Sequence, residues 1–541
     1  ENANTISGVD AFILHDRYGF PVDLTLLMAQ EKGVHVDVDG FEKEKVRVKN
    51  ESNQKRATQK DFLGSHAIHF LEERETVLTV DQPKYFLEGT STTIAVVLNI
   101  YSTKNSEWLS TATLHDGVVG IILDVTSFYT ESGGQVADTG YLIDSNNVSH
   151  TFQVTEVQKF AGYIVHIGTV TSGIVSVGSN MRCAVDEERR KNIRSNHTMT
   201  HILNHRLRDV LQYNQPAKCT EIHQKGSFVG DTLLRFDFSW NEKLTLSELE
   251  ELETAMRHDI RSNLTVFSKE IALDDALKIA SLRAVFDEKY GVNVRLVTIG
   301  ISVEEIEADS ENFNRLKAFS IELCGGTHVQ KTSSIGDVII QSEESLTKGV
   351  RRIVCVTGED AIKARKRGED LEAEFHSINI STCSDIDIET TTGALNSKFK
   401  NLSKLRDQLN ASTAPLIKKI RLREALNAAI EQVISDRRRI LSTMLTDVSI
   451  FGESCAKSFD SSQKYIIHHV VDTFGLNRDA MTKLHDIIQR AHPSLPIMII
   501  FFAEKSQSGL VMASSPDPTK FDASVWVKHA VGKGGGKPSL A

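Results

Sequence analysis

A chain of 541 residues, 40% of them apolar and 25% charged, is long enough for about three or four domains with cores of their own. No apolar run approaches the ~20 residues that a membrane-spanning helix needs, so insertion in a bilayer has no support in the sequence. The formal net charge of −10 excludes a generally basic nucleic-acid-coating protein and confines any nucleic acid to local patches.

Six cysteines (Cys183, Cys219, Cys324, Cys355, Cys383, Cys455) are scattered without paired spacing, which points to a reducing compartment rather than a disulfide framework. The chain opens on Glu1, with no secretory n-region or h-region, and closes three residues after Pro538, so both ends are expected to be cuts in something longer.

Taken in order, residues 1–60 read as a small helical region, with a helix over 24–32 opened by Pro21 and by Asp23 as N-cap and closed by Gly33 in a left-handed conformation. Residues 85–185 change to short β-rich runs at 118–125, 152–157, 163–167 and 174–177, the pattern of a small barrel or sandwich. Gly133-Gly134-Gln135 lies between two of these runs and by itself reads as a tight hairpin or bulge. A long helix is expected over 186–211, opened by Asp186 and carrying Arg189, Arg190, Lys191 and Arg194, charges that either solvate a face or meet phosphates.

Strands at 224–229, 233–238, 292–299, 337–341 and 352–356 alternate with helices at 247–263 and 274–280, which describes an α+β domain over 186–358. Residues 359–448 are polar and helical, and Leu402, Leu405, Leu409, Leu416, Ile420, Leu426 and Ile430 recur at helical spacing, as in an antiparallel hairpin or short coiled coil with a turn at Pro415. From 449 to 541 the pattern is β/α: apolar runs at 465–471, 497–503 and 510–513 with a helix at 479–490 predict a buried, partly parallel sheet. The terminal loop Gly532-Lys533-Gly534-Gly535-Gly536-Lys537-Pro538 offers Lys533 and Lys537 to a phosphate but lacks the spacing of a nucleoside triphosphate loop. The expected architecture is therefore α+β and multidomain: a helical region, a β-barrel, an α+β metal-containing domain, a helical linker and a C-terminal β/α domain.

Two short stretches carry chemistry. His197 and His201 fall one helical turn apart on one face and can present both imidazoles to a single ion. In Cys324-Gly325-Gly326-Thr327-His328 the glycine pair permits a tight turn from which a thiolate and a third imidazole converge. Three nitrogens and one sulfur suit zinc and are a poor home for magnesium or calcium. A lone His-x-x-x-His is more often two surface histidines; the cysteine turn is what tips the balance.

Asn196-His197-Thr198-Met199-Thr200-His201, Gln224-Lys225-Gly226-Ser227, the stretch Leu323 to His328 and Phe128-Tyr129-Thr130-Glu131-Ser132-Gly133-Gly134-Gln135 together resemble the editing domain of alanyl-tRNA synthetases, in the family's order. The run from Asp10 to Thr25 resembles the end of that family's helical tRNA-recognition region, and Lys348-Gly349-Val350-Arg351-Arg352 also matches. The resemblance implies a zinc-containing editing site in which His197, His201, Cys324 and His328 hold the metal, and Thr200 and Gln224 contact the aminoacyl group. Glu131 and Gln135 would line the pocket. From their placement, not from the resemblance, Arg190 and Arg194 are candidates for tRNA contact, with a solvated face as the equal alternative, and Lys533 and Lys537 are candidates in the terminal loop.

The resemblance further implies hydrolysis of tRNA(Ala) mischarged with serine or glycine, and a C-terminal module that binds tRNA and supports a homodimer. No segment matches the ATP-binding motifs of class II synthetases, so ligation with ATP and magnesium is expected only of a full-length parent. The rivals are a tRNA-binding module with a purely structural zinc and a free-standing trans-editing deacylase. The compartment is expected to be cytoplasmic, with mitochondrial as the alternative.

Overall fold

The computed structural model describes residues 5–12, 22–31, 33–45, 47, 62–85, 93–213, 222–284, 290–378, 388–460, 462–504, 507–531 and 540. The terminal loop with Lys533 and Lys537 lies outside the described residues, as do Cys219, Cys383 and the middle of the run from Asp10 to Thr25. Helix α1 (Val22–Glu31) begins before Asp23, which therefore stands inside the first turn and not at the cap. Gly33 does close it, at φ +66°, and Val34 N–H reaches back to the Ala29 carbonyl.

The β-rich region is a closed barrel of six antiparallel strands: β1 (Ile94–Ser102), β2 (Val118–Leu123), β3 (Gly140–Asp144), β4 (Thr151–Phe160), β5 (Tyr163–Ser172) and β6 (Asn180–Val185). The order around it is β1-β2-β5-β4-β3-β6, and β6 returns to β1 through Asn180 opposite Val96. Closure removes the sheet edges, and alternate residues such as Val97, Ile121, Phe152, Val154 and Ile164 fill the interior. A short helix α2 (Ser65–Glu73) lays Ala67 and Leu71 on the outside against Tyr101, Ile122 and Val165.

Helix α3 (Glu187–Leu207) leaves the barrel directly after β6, capped by Asp186, whose carboxylate accepts the Arg189 N–H at 3.0 Å. Glu187 and Glu188 in its first turn complement the helix dipole. It packs with α4 (Leu246–Arg261) on a four-stranded sheet made of β7 (Gln224–Val229), β8 (Leu234–Ser239), β12 (Val338–Thr347) and β13 (Val350–Thr357), in the order β7-β8-β13-β12. Met199, Leu203, Phe236, Phe238, Leu252, Met256 and Ile353 share that core. A separate three-stranded sheet, β9 (Val266–Ala272), β10 (Asn293–Ile299) and β11 (Ser320–Leu323), delivers the cysteine turn at the end of β11.

Beyond the α+β part run α5 (Gly358–Ser377), α6 (Ile388–Ala411) and the 43-residue α7 (Leu416–Ser458). α6 and α7 form the expected hairpin, with Leu402, Leu405, Leu409, Leu426 and Ile430 in one core and Pro415 at the turn as N-cap of α7. Leu416 and Ile420 do not join that core; they pack against the one under α3. The C-terminal sheet is partly parallel as expected: β14 (Ile466–Val471) runs parallel to β15 (Ile497–Ala503), and β16 (Ser508–Ser514) runs antiparallel, covered by α8 (Arg478–Ala491) and α9 (Ala523–Val531). No disulfide joins the four described cysteines, and no helix among the described residues is long and apolar enough to cross a membrane.

Candidate metal centre and its cavity

The middle of α3 is polar and yet buried on nearly every side: Ser195, Asn196, His197, Thr198, Thr200, His201, Asn204 and His205 are all inside. Burial of so many polar groups is tolerated only when they are partnered. Asn196 donates to the Gly230 carbonyl at 2.9 Å and accepts from the Thr357 hydroxyl at 2.7 Å. His197 finds its partners in other segments, while His201 Nδ1, Asn204 Oδ1 and His205 Nε2 are buried without a hydrogen-bond partner among the described residues.

His197, His201, Cys324 and His328 offer donor atoms that all lie within 4.8 Å of one another. Cys324 Sγ is 3.3 Å from His197 Nε2 and 3.4 Å from His328 Nε2. The far nitrogens are held. His197 Nδ1 donates to Gln135 Oε1 at 2.6 Å, and that oxygen also accepts the Thr327 N–H at 3.0 Å. His328 Nδ1 lies 3.2 Å from Thr198 Oγ1, whose own proton goes to the Arg194 carbonyl at 2.9 Å. Both rings therefore turn an Nε2 lone pair toward the thiol, the tautomer a metal ligand requires. His201 Nδ1 faces Glu322 Oε2 at 3.7 Å. Burial holds all three imidazoles well below the usual histidine range, His201 at about 3, so they stay neutral at neutral pH. This donor set fits zinc.

His197, His201 and Cys324 form one wall of a cavity of about 560 Å³, and His328 stands behind them. Thr200 and Gln224 line it, as do Asn204, Glu322 and the cations Arg208, Lys225, Arg283 and Arg295. Thr200 Oγ1 donates to the Asn196 carbonyl at 2.8 Å, an ordinary helical back-bond that leaves its lone pairs facing outward from that bond. Gln224 Nε2 donates to Ser227 Oγ at 3.1 Å. Burial pushes the Glu322 carboxyl up, against the opposing charge of Arg283.

The structure brings together the four donors, Thr200 and Gln224; Gln135, expected as a lining residue, is instead fully buried behind His197 and does not reach the cavity. It does not bring Glu131 to the cavity wall: the residue is exposed, and of the Gly-Gly loop only Ser132 and Gly133 line the cavity. Arg190 requires a correction. Its side chain is 2% exposed and pairs with Asp138, itself 1% exposed, so the guanidinium fastens α3 to the barrel and is not presented to a phosphate. Arg194 is half-buried, and its charge is felt at His328.

Several participants carried no local signal in the sequence. Arg295 donates to the carbonyls of Cys324 and Gly326, and Tyr85 donates to that of Gly325, from segments far away in the chain. Asn204, by contrast, was readable, since it lies one turn below Thr200 on the same helical face.

Residues 1–189 match a family described as "tRNA synthetases class II (A)", and residues 294–354 match "Threonyl and Alanyl tRNA synthetase second additional domain". The second match contains Cys324 and His328. Over its whole length the chain is 34% identical to the cytoplasmic alanine–tRNA ligase of Bombyx mori. The chain belongs to the alanyl-tRNA synthetase family. It is also similar to the alanine–tRNA ligase of Candida albicans, 36% identical over 92% of the chain and 49% of the relative. The mitochondrial alanine–tRNA ligase of Saccharomyces cerevisiae is 37% identical over 79% of the chain and 41% of that protein. Against the Bombyx mori member the chain spans 56% of the relative's length, about half of a curated family member.

Proposed function

We propose that the cavity hydrolyses the ester of tRNA(Ala) mischarged with serine or glycine. The observation that carries this reading is the wall itself: His197, His201 and Cys324, three members of a cluster completed by His328 behind them, stand beside Thr200 and Gln224 in a cavity large enough for an aminoacyl adenosine end. His197, His201, Cys324 and His328 hold zinc, which when bound supplies a fixed positive charge to that wall. Arg208, Lys225 and Arg283 on the other walls suit the phosphates of a tRNA terminus.

Discrimination follows from the polar lining. An apolar pocket cannot strongly reject a substrate that merely adds a hydroxyl, so the alanine site of a synthetase admits serine. A second site with unfilled acceptors does the reverse. The serine hydroxyl donates to Thr200 Oγ1 or Gln224 Oε1, whereas alanine would leave them unpaired in a buried cavity. Water attacks the ester carbonyl, the terminal ribose oxygen leaves with a proton, and free amino acid and tRNA result.

In a longer protein of this family the parent would ligate alanine to tRNA(Ala) with ATP and magnesium. The C-terminal β/α module would bind tRNA and support a homodimer, and the compartment would be cytoplasmic or mitochondrial, as in the relatives' names.

Completeness of the donor set favours a second reading, a closed structural zinc in a tRNA-docking module, since a metal that activates water keeps a position open. Deacylation separates the two. Purified chain, Cys324→Ala and a chelator-treated sample are each given Ser-tRNA(Ala) and Ala-tRNA(Ala). Rapid serine release that both treatments abolish, with Ala-tRNA(Ala) spared, supports editing. Tight tRNA binding by the zinc-loaded chain with no ester hydrolysis would sink it in favour of docking.

A further inference from the structure

The cysteine turn is held from outside by two residues that belong to neither ligand pair. Arg295 sits on β10, antiparallel to β11, with Leu296 opposite Leu323. Its carbonyl accepts the Cys324 N–H at 3.0 Å, and its Nη1 donates to the Cys324 carbonyl at 3.1 Å and the Gly326 carbonyl at 2.8 Å. The intervening carbonyl, that of Gly325, accepts the Tyr85 hydroxyl at 2.9 Å. Three successive carbonyls of the turn are thus tied down. The Tyr85 ring also covers the Arg295 guanidinium, 4.0 Å from its centroid.

Tyr85 ends a short 3-10 segment, Gln82–Tyr85, that follows Val80, whose backbone pairs with Val125 of the barrel. Burial raises the Tyr85 hydroxyl to about 12, so it remains a donor. The chain separation of 240 residues between Tyr85 and Gly325 makes this a tertiary device and not a local turn preference.

We propose that Tyr85 and Arg295 are positioning residues that preset turn 324–328, so that Cys324 and His328 already face His197 and His201 before a metal arrives. The inference rests on the metal-site reading above and goes further, because it assigns the rigidity of the site to residues that touch neither metal nor substrate. Backbone carbonyls of a two-glycine turn would otherwise sample many conformations, and their ordering would have to be met at the moment of binding. Preorganisation of this kind acts on retention of the ion, and outer partners of metal ligands typically govern about 10–100-fold in affinity.

The test uses the full chain loaded with cobalt(II), whose thiolate-to-metal absorption reports Cys324, followed by release into excess chelator. Tyr85→Phe keeps the ring over the guanidinium and loses only the hydroxyl; Arg295→Met loses the fork; Arg295→Lys restores the charge without the paired geometry. Expected are release about 10-fold faster or more in Arg295→Met, a smaller acceleration in Tyr85→Phe, and only partial rescue by Arg295→Lys, with far-UV circular dichroism unchanged. Release rates equal to the unaltered chain in both Tyr85→Phe and Arg295→Met would overturn the clamp while leaving the metal site standing. Absence of the thiolate band in the unaltered chain would remove the metal reading and the clamp together. A normal band and fast-releasing variants in a chain that hydrolyses nothing would support the clamp and count against editing alone.

Discussion

Gly326 shows how a residue's reason differs from its sequence signature. The glycine pair was expected to serve a tight turn, but neither Gly325 nor Gly326 is among the positive-φ glycines. A Cβ on Gly325 would meet nothing within 4 Å, whereas one on Gly326 would lie 2.0 Å from His197 Cε1 and 2.3 Å from its Nδ1. The requirement at 326 is close approach to a ligand ring. Gly326→Ala should therefore displace His197 and lower metal content per chain at least 10-fold, by the magnitude typical of disturbed ligand shells, while Gly325→Ala retains metal; elemental analysis of the two purified variants decides it. Thr200→Val makes a complementary case in the proposed reaction. It keeps the shape and removes the acceptor, so serine release should fall about 10-fold, the equivalent of one net hydrogen bond of ~1.4 kcal/mol. An unchanged rate on Ser-tRNA(Ala) would confine Thr200 to its back-bond. At this scale the four donors were legible because a helical i, i+4 pair and a Cys-x-x-x-His stretch are local patterns. Tyr85, Arg295 and Glu322 were not, because their roles arise from strands and loops that meet only in the fold.

Elements were readable in type and less so in length. The runs at 224–229 and 497–503 coincide with β7 and β15; a continuous apolar pattern bounded by turns defines the second, whereas the first has only Phe228 and Val229 as apolar residues. β3 and β6 mix polar residues into short strands and so escape the pattern, whereas β1 escapes it although it is apolar save for Asn99 and Ser102 and its outer face lies under α2. A boundary expected at 448/449 falls inside α7, because Met444, Val448 and Cys455 continue the helical period while changing partner from the hairpin to the C-terminal core. At about 65 Å for 43 residues, α7 reaches from the core under α3 to the C-terminal sheet. The join between barrel and α3 depends on a different contact, the buried pair of Arg190 and Asp138, where Asp138 also accepts the Tyr129 N–H at 2.6 Å. Removing one member of such a pair strands the other charge in a low dielectric. Asp138→Ala should cost about 3–5 kcal/mol, read as a lowered urea midpoint with the barrel's near-ultraviolet signal lost first; a shift under ~1 kcal/mol would show that water reaches Arg190 there.

Across the whole molecule, distinct cores are stitched together, so unfolding should not be a single transition and acid should expose the order. Histidines buried in the neutral form supply the handle. His166 lies inside the barrel, 2.7 Å from Thr126 Oγ1 through Nε2 and 3.1 Å from the Ile121 carbonyl through Nδ1, and burial lowers it to about 4. The folded barrel thus declines a proton that the unfolded chain accepts at its ordinary 6.5. The resulting stability is fully present above pH 6.5, is lost as pH falls toward about 4, and changes no further below that, a contribution on the order of 3 kcal/mol. His485 in the C-terminal core is lowered for the same reason, desolvation, and adds the same sign. Urea midpoints for the barrel transition at pH 8, 6 and 4.5 should decline with falling pH, and His166→Gln, which has no proton to take up in this range, should flatten that decline whatever its effect at pH 8. A barrel midpoint that fell equally with and without His166 would place the acid sensitivity elsewhere; Asp337 is no candidate, because it lies outside the barrel and, against desolvation, its bonds to Arg365 hold it below the usual range and are lost only at more acidic pH.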